Sequence, residues 1–133
     1  MRVFLDTNVI VSGFTTRGLC ADLLREVLAQ QTLVTSEQVL AETEDVLLNR
    51  FGVPRDTVGE IISLLRRQEI AGLPDPPPSI KIRDPADRAI VAAAIGSNAE
   101  FLVTEDKDIT ALASLSHMRI VTPREFWTAM RPG

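Results

Sequence analysis

Two short, strongly apolar runs in the chain each end in a carboxylate. They are Val3-Phe4-Leu5-Asp6 near the start and Phe101-Leu102-Val103-Thr104-Glu105-Asp106 far downstream. A run of β-formers bounded by polar residues reads as a strand buried on both faces of a parallel sheet. Ligands of open α/β sheets gather outside the carboxyl ends of such strands. Two acids delivered to one such edge make a candidate cation site.

The 133 residues suffice for one domain with a real core and are too few for two comfortable ones, so residues 1–133 read as a single domain. A hydrophobic content of 45% excludes a disordered chain. No apolar stretch approaches the roughly 20 residues of a membrane-spanning helix, and the start of the chain lacks a secretory pattern. A cytoplasmic protein with no membrane partner is expected. The single cysteine, Cys20, agrees with a reducing compartment and reads as a helix-packing residue. A net charge of -4 does not advertise a polyanion partner. Twelve of the fourteen cations are arginine, whose planar fork suits phosphate, but genome base composition gives the same bias and the hint decides little.

The elements read in the order strand, helix, strand, helix, helix, strand, helix, strand, helix, strand, helix, with no internal repeat. Val3 to Leu5 is the first strand; Leu19, Leu23, Leu24, Val27 and Leu28 recur at helical spacing over Leu19 to Gln30; Thr32 to Thr35 is short and extended. Thr35 and Ser36 offer caps for the next helix, with Gln38 placed to complete a capping box from Thr35, and that helix runs to about Arg50. Gly52 stops it, Pro54 opens the next, and Val58, Ile61, Ile62 and Leu65 form an apolar stripe suited to the core or to a subunit interface. Four prolines mark Gly72 to Ser79 as a loop. Asp84-Pro85 is a strong helix start, followed by a nearly all-apolar helix from Ala86 to Ile95. Strand Phe101 to Thr104, a short helix from about Lys107 to Leu115, strand Met118 to Val121 and a helix opened by Pro123 complete the chain. The alternation predicts an α/β fold, a three-layer α/β/α sandwich whose mostly parallel central sheet has about five strands.

Each acid has a structural reading beside the functional one. Asp6 could cap the segment beginning at Thr7, with Thr7 and Asn8 orienting its carboxylate. One acid of Glu105, Asp106 and Asp108 caps the following helix, and the others would face Asp6 if the two strands are neighbours; clustered like charges call for a cation or a proton. Asp87 is a first-turn acid that lies on the buried face of its helix with Ile90, Val91 and Ala94. Glu42 flanks one side of an apolar stripe and Glu44 the other, and helical geometry does not choose between them.

In order and spacing, Val3-Phe4-Leu5-Asp6-Thr7-Asn8, Ala41-Glu42, Asp84-Pro85-Ala86-Asp87-Arg88-Ala89-Ile90, Leu102-Val103-Thr104-Glu105-Asp106-Lys107-Asp108 and Ile120-Val121-Thr122-Pro123-Arg124-Glu125-Phe126 resemble the PIN-domain family, particularly its toxins of bacterial and archaeal toxin-antitoxin systems. The resemblance implies a PIN-like fold and a metal-dependent endoribonuclease using Mg²⁺ or Mn²⁺, with RNA as substrate, a cognate antitoxin as partner and a homodimeric state. It places the four acids at Asp6, Glu42, Asp87 and Asp106, with Asp108 as an accessory, and so selects Glu42 over Glu44. Asp6, Asp87 and Asp106 would hold the ion, with Glu42 binding it through water or accepting a proton from the attacking water. Asn8 and Thr104 match polar positions beside the first and fourth acids. Many relatives carry another acid where this chain has Arg88.

The residue types suit the chemistry. Hard divalent cations take oxygen ligands, and one cysteine with one histidine, Cys20 and His117, cannot build the usual zinc site. Five phenylalanines, one tryptophan and no tyrosine argue against extensive base stacking. Two other functions are compatible with a small acidic α/β chain. Receiver domains use paired acids after the first strand and a lysine after the last, where this chain has only Asp6 and Thr122-Pro123-Arg124. A catalytically silent binding module would keep the PIN-like fold, yet all four acids are present.

Overall fold

The computed structural model describes residues 1–115 and 117–131. Six strands form one sheet: β1 (Arg2–Leu5), β2 (Thr32–Ser36), β3 (Glu69–Ala71), β4 (Phe101–Val103), β5 (Ser114–Leu115) and β6 (Met118–Val121), in the order β3-β2-β1-β4-β6-β5. Every pairing is parallel except β5 with β6. Among the described residues the α-helices are α1 (Thr7–Thr15), α2 (Leu19–Gln30), α3 (Glu37–Asp45), α4 (Arg55–Arg66), α5 (Pro85–Gly96), α6 (Lys107–Thr110) and α7 (Pro123–Ala129). The mostly parallel sheet between helices is the expected sandwich, with one strand more than expected.

The two apolar runs lie side by side at the centre. Val3, Phe4 and Leu5 pair with Phe101, Leu102 and Val103, and Phe4, Leu5, Leu102 and Val103 are fully buried. From β1 the chain steps outward to β2 and β3, then returns to place β4 on the other side of β1. The direction of winding therefore reverses between β1 and β4, which is where open α/β sheets form a crevice at their carboxyl edge.

Helix starts follow the sequence signals in most places. Asp84 caps α5 by accepting from the Ala86 amide at 2.8 Å, with Pro85 in the first turn. Ile90 through Ala94 are buried, as the apolar run predicts. Gly52, at φ 63°, closes the segment after α3, where Val46–Arg50 continues as a π-helical turn. Gly13 lets α1 approach α2, because a Cβ there would stand 2.7 Å from a Leu24 methyl. In the Val58 stripe, Val58 and Leu65 are buried within the chain, and Ile61 and Ile62 pack against the same core.

Two expectations are corrected. The cap of α3 is Ser36, whose hydroxyl accepts from the Val39 amide at 3.3 Å; the Thr35 side chain is turned into the core, so no capping box joins it to Gln38. A reciprocal box does form at the start of α7, between Thr122 and Glu125. The helix expected from Lys107 to Leu115 stops at Thr110, because Ala113 takes a positive φ of 60° and Ser114–Leu115 turns back antiparallel to β6. Leu112 and Leu115 are three apart in either conformation, so their spacing mimics a helix. Among the described residues no helix is long and apolar enough to cross a membrane.

Candidate active site at the carboxyl edge of the sheet

Asp6 follows the last residue of β1, and its amide extends the ladder by donating to the Val103 carbonyl at 3.0 Å. Its side chain is only 9% exposed. One oxygen, Oδ1, accepts from the Thr7 amide at 2.8 Å and so caps α1; the other, Oδ2, accepts from the Thr104 hydroxyl at 2.6 Å. Capping and site-building are therefore one arrangement here, not alternatives. Burial pushes the Asp6 carboxyl above its usual range, the Thr104 and Thr7 bonds hold it back, and the charges of Glu42 and Asp106 add to the rise.

Thr104, fully buried at the end of β4, ties the first acid to the fourth. Besides donating to Asp6, its hydroxyl accepts from the Asp106 amide at 3.0 Å. Asp106 in turn caps α6, its Oδ1 accepting from the Asp108 and Ile109 amides at 2.8 and 3.3 Å. Thr104→Val keeps the shape and strips both bonds. The expected result is a loss of about 1–3 kcal/mol of stability, read from urea unfolding, because a buried carboxylate oxygen and an amide lose their partner.

Glu42 is bound from two sides. The Thr7 hydroxyl donates to its Oε1 at 2.7 Å and the Gln38 amide nitrogen to its Oε2 at 3.0 Å. Glu44, by contrast, is exposed, with no side-chain hydrogen bond among the described residues. The packing of α1 on α3 thus brings Glu42, not Glu44, to Asp6, a choice that the helix pattern leaves open. Thr7 serves both acids at once.

Asp87 projects from the first turn of α5. Its carboxyl is pushed up to about 6 by burial first, then by the charges of Asp106, Asp84, Asp6 and Glu42. Folding raises this pKa from an ordinary 3.8. The folded state therefore binds the proton more tightly than the unfolded chain, and stability falls as pH rises through about 4 to 6 before levelling off. Asp87→Asn is expected to flatten that fall and to raise the melting temperature at pH 7 in chelator-treated protein; melts from pH 4 to 8 check it.

Asp6, Glu42 and Asp106 are thus joined through Thr7 and Thr104, and Asp87 belongs with them through its field. Asp108 is exposed on α6 and contributes its backbone amide to Asp106. Asn8 is exposed and makes no side-chain hydrogen bond among the described residues; Thr7 and Thr104 orient Asp6 instead. Arg88 turns away from the acids, its guanidinium donating to the Ile82 and Arg83 carbonyls at 2.6 and 3.0 Å, and it borders a groove of about 400 Å³ beneath the proline loop. The sequence offers Gln38 as a capping residue, and its spacing of four from Glu42 on one helix is the signal that points to their contact.

The sequence pattern that defines the PIN domain matches residues 2–108, most of the chain. The chain belongs to the PIN-domain family. Two solved structures share the PIN-domain fold. One is VapBC2 from Rickettsia felis bound to a DNA fragment from their promoter, with 18% identity and a TM-score of 0.63, covering 92% of this chain and 98% of that one. The other is VapC20 of Mycobacterium tuberculosis, described as a sarcin-ricin loop cleaving toxin, with 19% identity and a TM-score of 0.56, covering 88% of this chain and 98% of that one. No curated protein matches the sequence significantly. In this PIN domain the acids stand at the crevice that the winding of the sheet creates.

Proposed function

We propose that this PIN domain is a metal-dependent endoribonuclease that hydrolyses RNA phosphodiester bonds and acts as the toxin of a toxin-antitoxin pair. The observation that carries the reading is the gathering of acids from four separate elements at one sheet edge, where burial first and their mutual repulsion second raise the Asp87 carboxyl to about 6. The family membership and the fold shared with VapC20 support it.

The donor set suits a hard divalent cation, Mg²⁺ or Mn²⁺, because it is all oxygen and anionic. The one histidine, His117, lies by Asn98, Glu100 and Met118 at the start of β6, the far end of the strands. Among the described residues no three acid, histidine or cysteine side chains stand in ready-made metal-binding geometry. Asp6, Asp87 and Asp106 would hold the ion, with Asp108 as an accessory. The chemistry supplied by such an ion when bound is neutralisation of phosphate charge and activation of water.

The protein's own groups do the rest. Glu42, fixed by Thr7 and Gln38, is placed to take a proton from the attacking water. Thr104 orients Asp6 and offsets part of the burial cost of its charge by donating to Oδ2. Arginines supply nonspecific affinity through backbone phosphates. An antitoxin partner fits the VapBC2 relative, and a homodimeric state fits the toxin branch of the family.

The test is incubation of the purified chain with a labelled structured RNA, with Mn²⁺ and with excess chelator. Cleavage that depends on the metal supports the reading; an RNA left intact under both conditions by protein freed of any co-purified partner rejects it.

A further inference from the structure

Gln38 is half-buried on the first turns of α3 and reaches in two directions. Its amide nitrogen donates to Glu42 Oε2 on its own helix and to the Ala86 carbonyl in the first turn of α5, both at 3.0 Å. A carboxylate oxygen and a carbonyl oxygen are acceptors only, so the chemistry of the two neighbours fixes which end of the amide faces them. With the Thr7 hydroxyl on Oε1, both oxygens of Glu42 are gripped by neutral donors. Such donors fix the carboxylate in place without cancelling its charge.

The second contact bears on Asp87. The Ala86 carbonyl immediately precedes it, and Asp87 itself makes no side-chain hydrogen bond among the described residues. Its position relative to the other acids depends on how the first turn of α5 is seated. Among the described residues, the Gln38 bond is the one side-chain hydrogen bond that ties this turn to another element.

We propose that Gln38 is a positioning residue of the acid centre, a strut that orients Glu42 and sets the spacing between the acids of α3 and α5. The inference rests on the metal-dependent reading of the site. A merely structural pair four residues apart on a helix surface would contribute only a few tenths of a kcal/mol and leave ion binding untouched.

The experiment is a double-mutant cycle read by calorimetry with Mn²⁺ alone, on wild type, Gln38→Met, Glu42→Gln and the double variant. Methionine keeps the unbranched length and the helix preference and removes both donated bonds. Gln38→Ala serves as a second variant, with circular dichroism as the control for folding. The expected result is a loss of Mn²⁺ affinity of about tenfold or more for Gln38→Met in the wild-type background, in line with other groups that orient metal ligands. In the Glu42→Gln background the loss shrinks without vanishing, because the part carried through Glu42 is gone while the seating of α5 still depends on the Ala86 bond. Steady-state RNA cleavage by Gln38→Met shows a lower kcat with KM unchanged.

Equal losses in both backgrounds, or unchanged affinity in both folded Gln38 variants, overturn the proposal. Unchanged Gln38 variants alongside a wild type that binds Mn²⁺ and an Asp6→Asn variant that does not reject the strut alone. A wild type that binds no Mn²⁺ rejects the reading of the site and the strut with it.

Discussion

Asp6→Asn is expected to yield a folded protein whose RNA cleavage with Mn²⁺ is about a thousandfold slower or worse. The amide has nearly the shape of the carboxylate; its oxygen can still accept from the Thr7 amide, while its nitrogen can meet the Thr104 hydroxyl only as a donor, reversing that bond. What it loses is the anionic oxygen that sits between the other acids. Transition-state charge stabilisation by a bound divalent ion contributes several kcal/mol, and about 1.4 kcal/mol corresponds to each tenfold in rate. Stability should move the other way. Burial and the charges of Glu42 and Asp106 raise the Asp6 carboxyl, so removing its charge relieves a cost in the metal-free protein. The paired readout is cleavage rate and melting temperature under chelator; a variant that cuts as fast as wild type rules out Asp6 as a ligand of the reacting centre.

Phe126→Ala carries the largest expected cost to the fold. Phe126 is fully buried on α7 and meets Phe101 of β4 edge to face, with ring centroids 5.3 Å apart at 78°. Truncating a buried phenylalanine costs about 3–5 kcal/mol. That is a large share of the roughly 5–15 kcal/mol by which a domain is stable. The urea midpoint should fall sharply with the slope unchanged. Activity per folded molecule should survive at low temperature, because Phe126 packs on Phe101 at the start of β4, the end opposite the carboxyl edge; inactivity of the folded fraction would contradict that separation of core from site.

Local chemistry explains which features were legible. Asp84-Pro85 announces α5 because an aspartate cap and a proline with preset φ serve no other element as well. β1 and β4 are readable as buried strands because every residue of Val3–Leu5 and Phe101–Val103 is apolar. A strand is expected between the Val58 helix and the Asp84 helix, but Glu69–Ala71 is too short and too mixed to announce its bounds, which pairing at the edge with β2 sets. The extent of α6 depends on one positive φ at Ala113, a residue that carries no turn signal. In the site, Asp6, Asp87 and Asp106 stand out by position at strand and helix ends. Glu42 does not, because what distinguishes it from Glu44 is a hydroxyl on another helix, and that contact exists only after α1 packs on α3. Gln38 is hidden for the same reason: its partner on α5 lies 48 residues away in the chain.

The central position of β1 sets an order on the life of the molecule. As the chain emerges from the ribosome, β1 can pair early with β2, but its other neighbour, β4, begins only at Phe101. Until that segment emerges, Asp6 lacks the Val103 carbonyl that fixes its backbone and the Thr104 hydroxyl that holds its carboxylate. Non-local pairings of this kind form late, because the intervening chain must first be gathered in. A nascent or truncated chain ending before β4 would carry three of the four acids and no assembled centre. If the proposed RNA cleavage is its activity, completion of the sheet would double as a safety catch, keeping the chain inert while its own message is still being read.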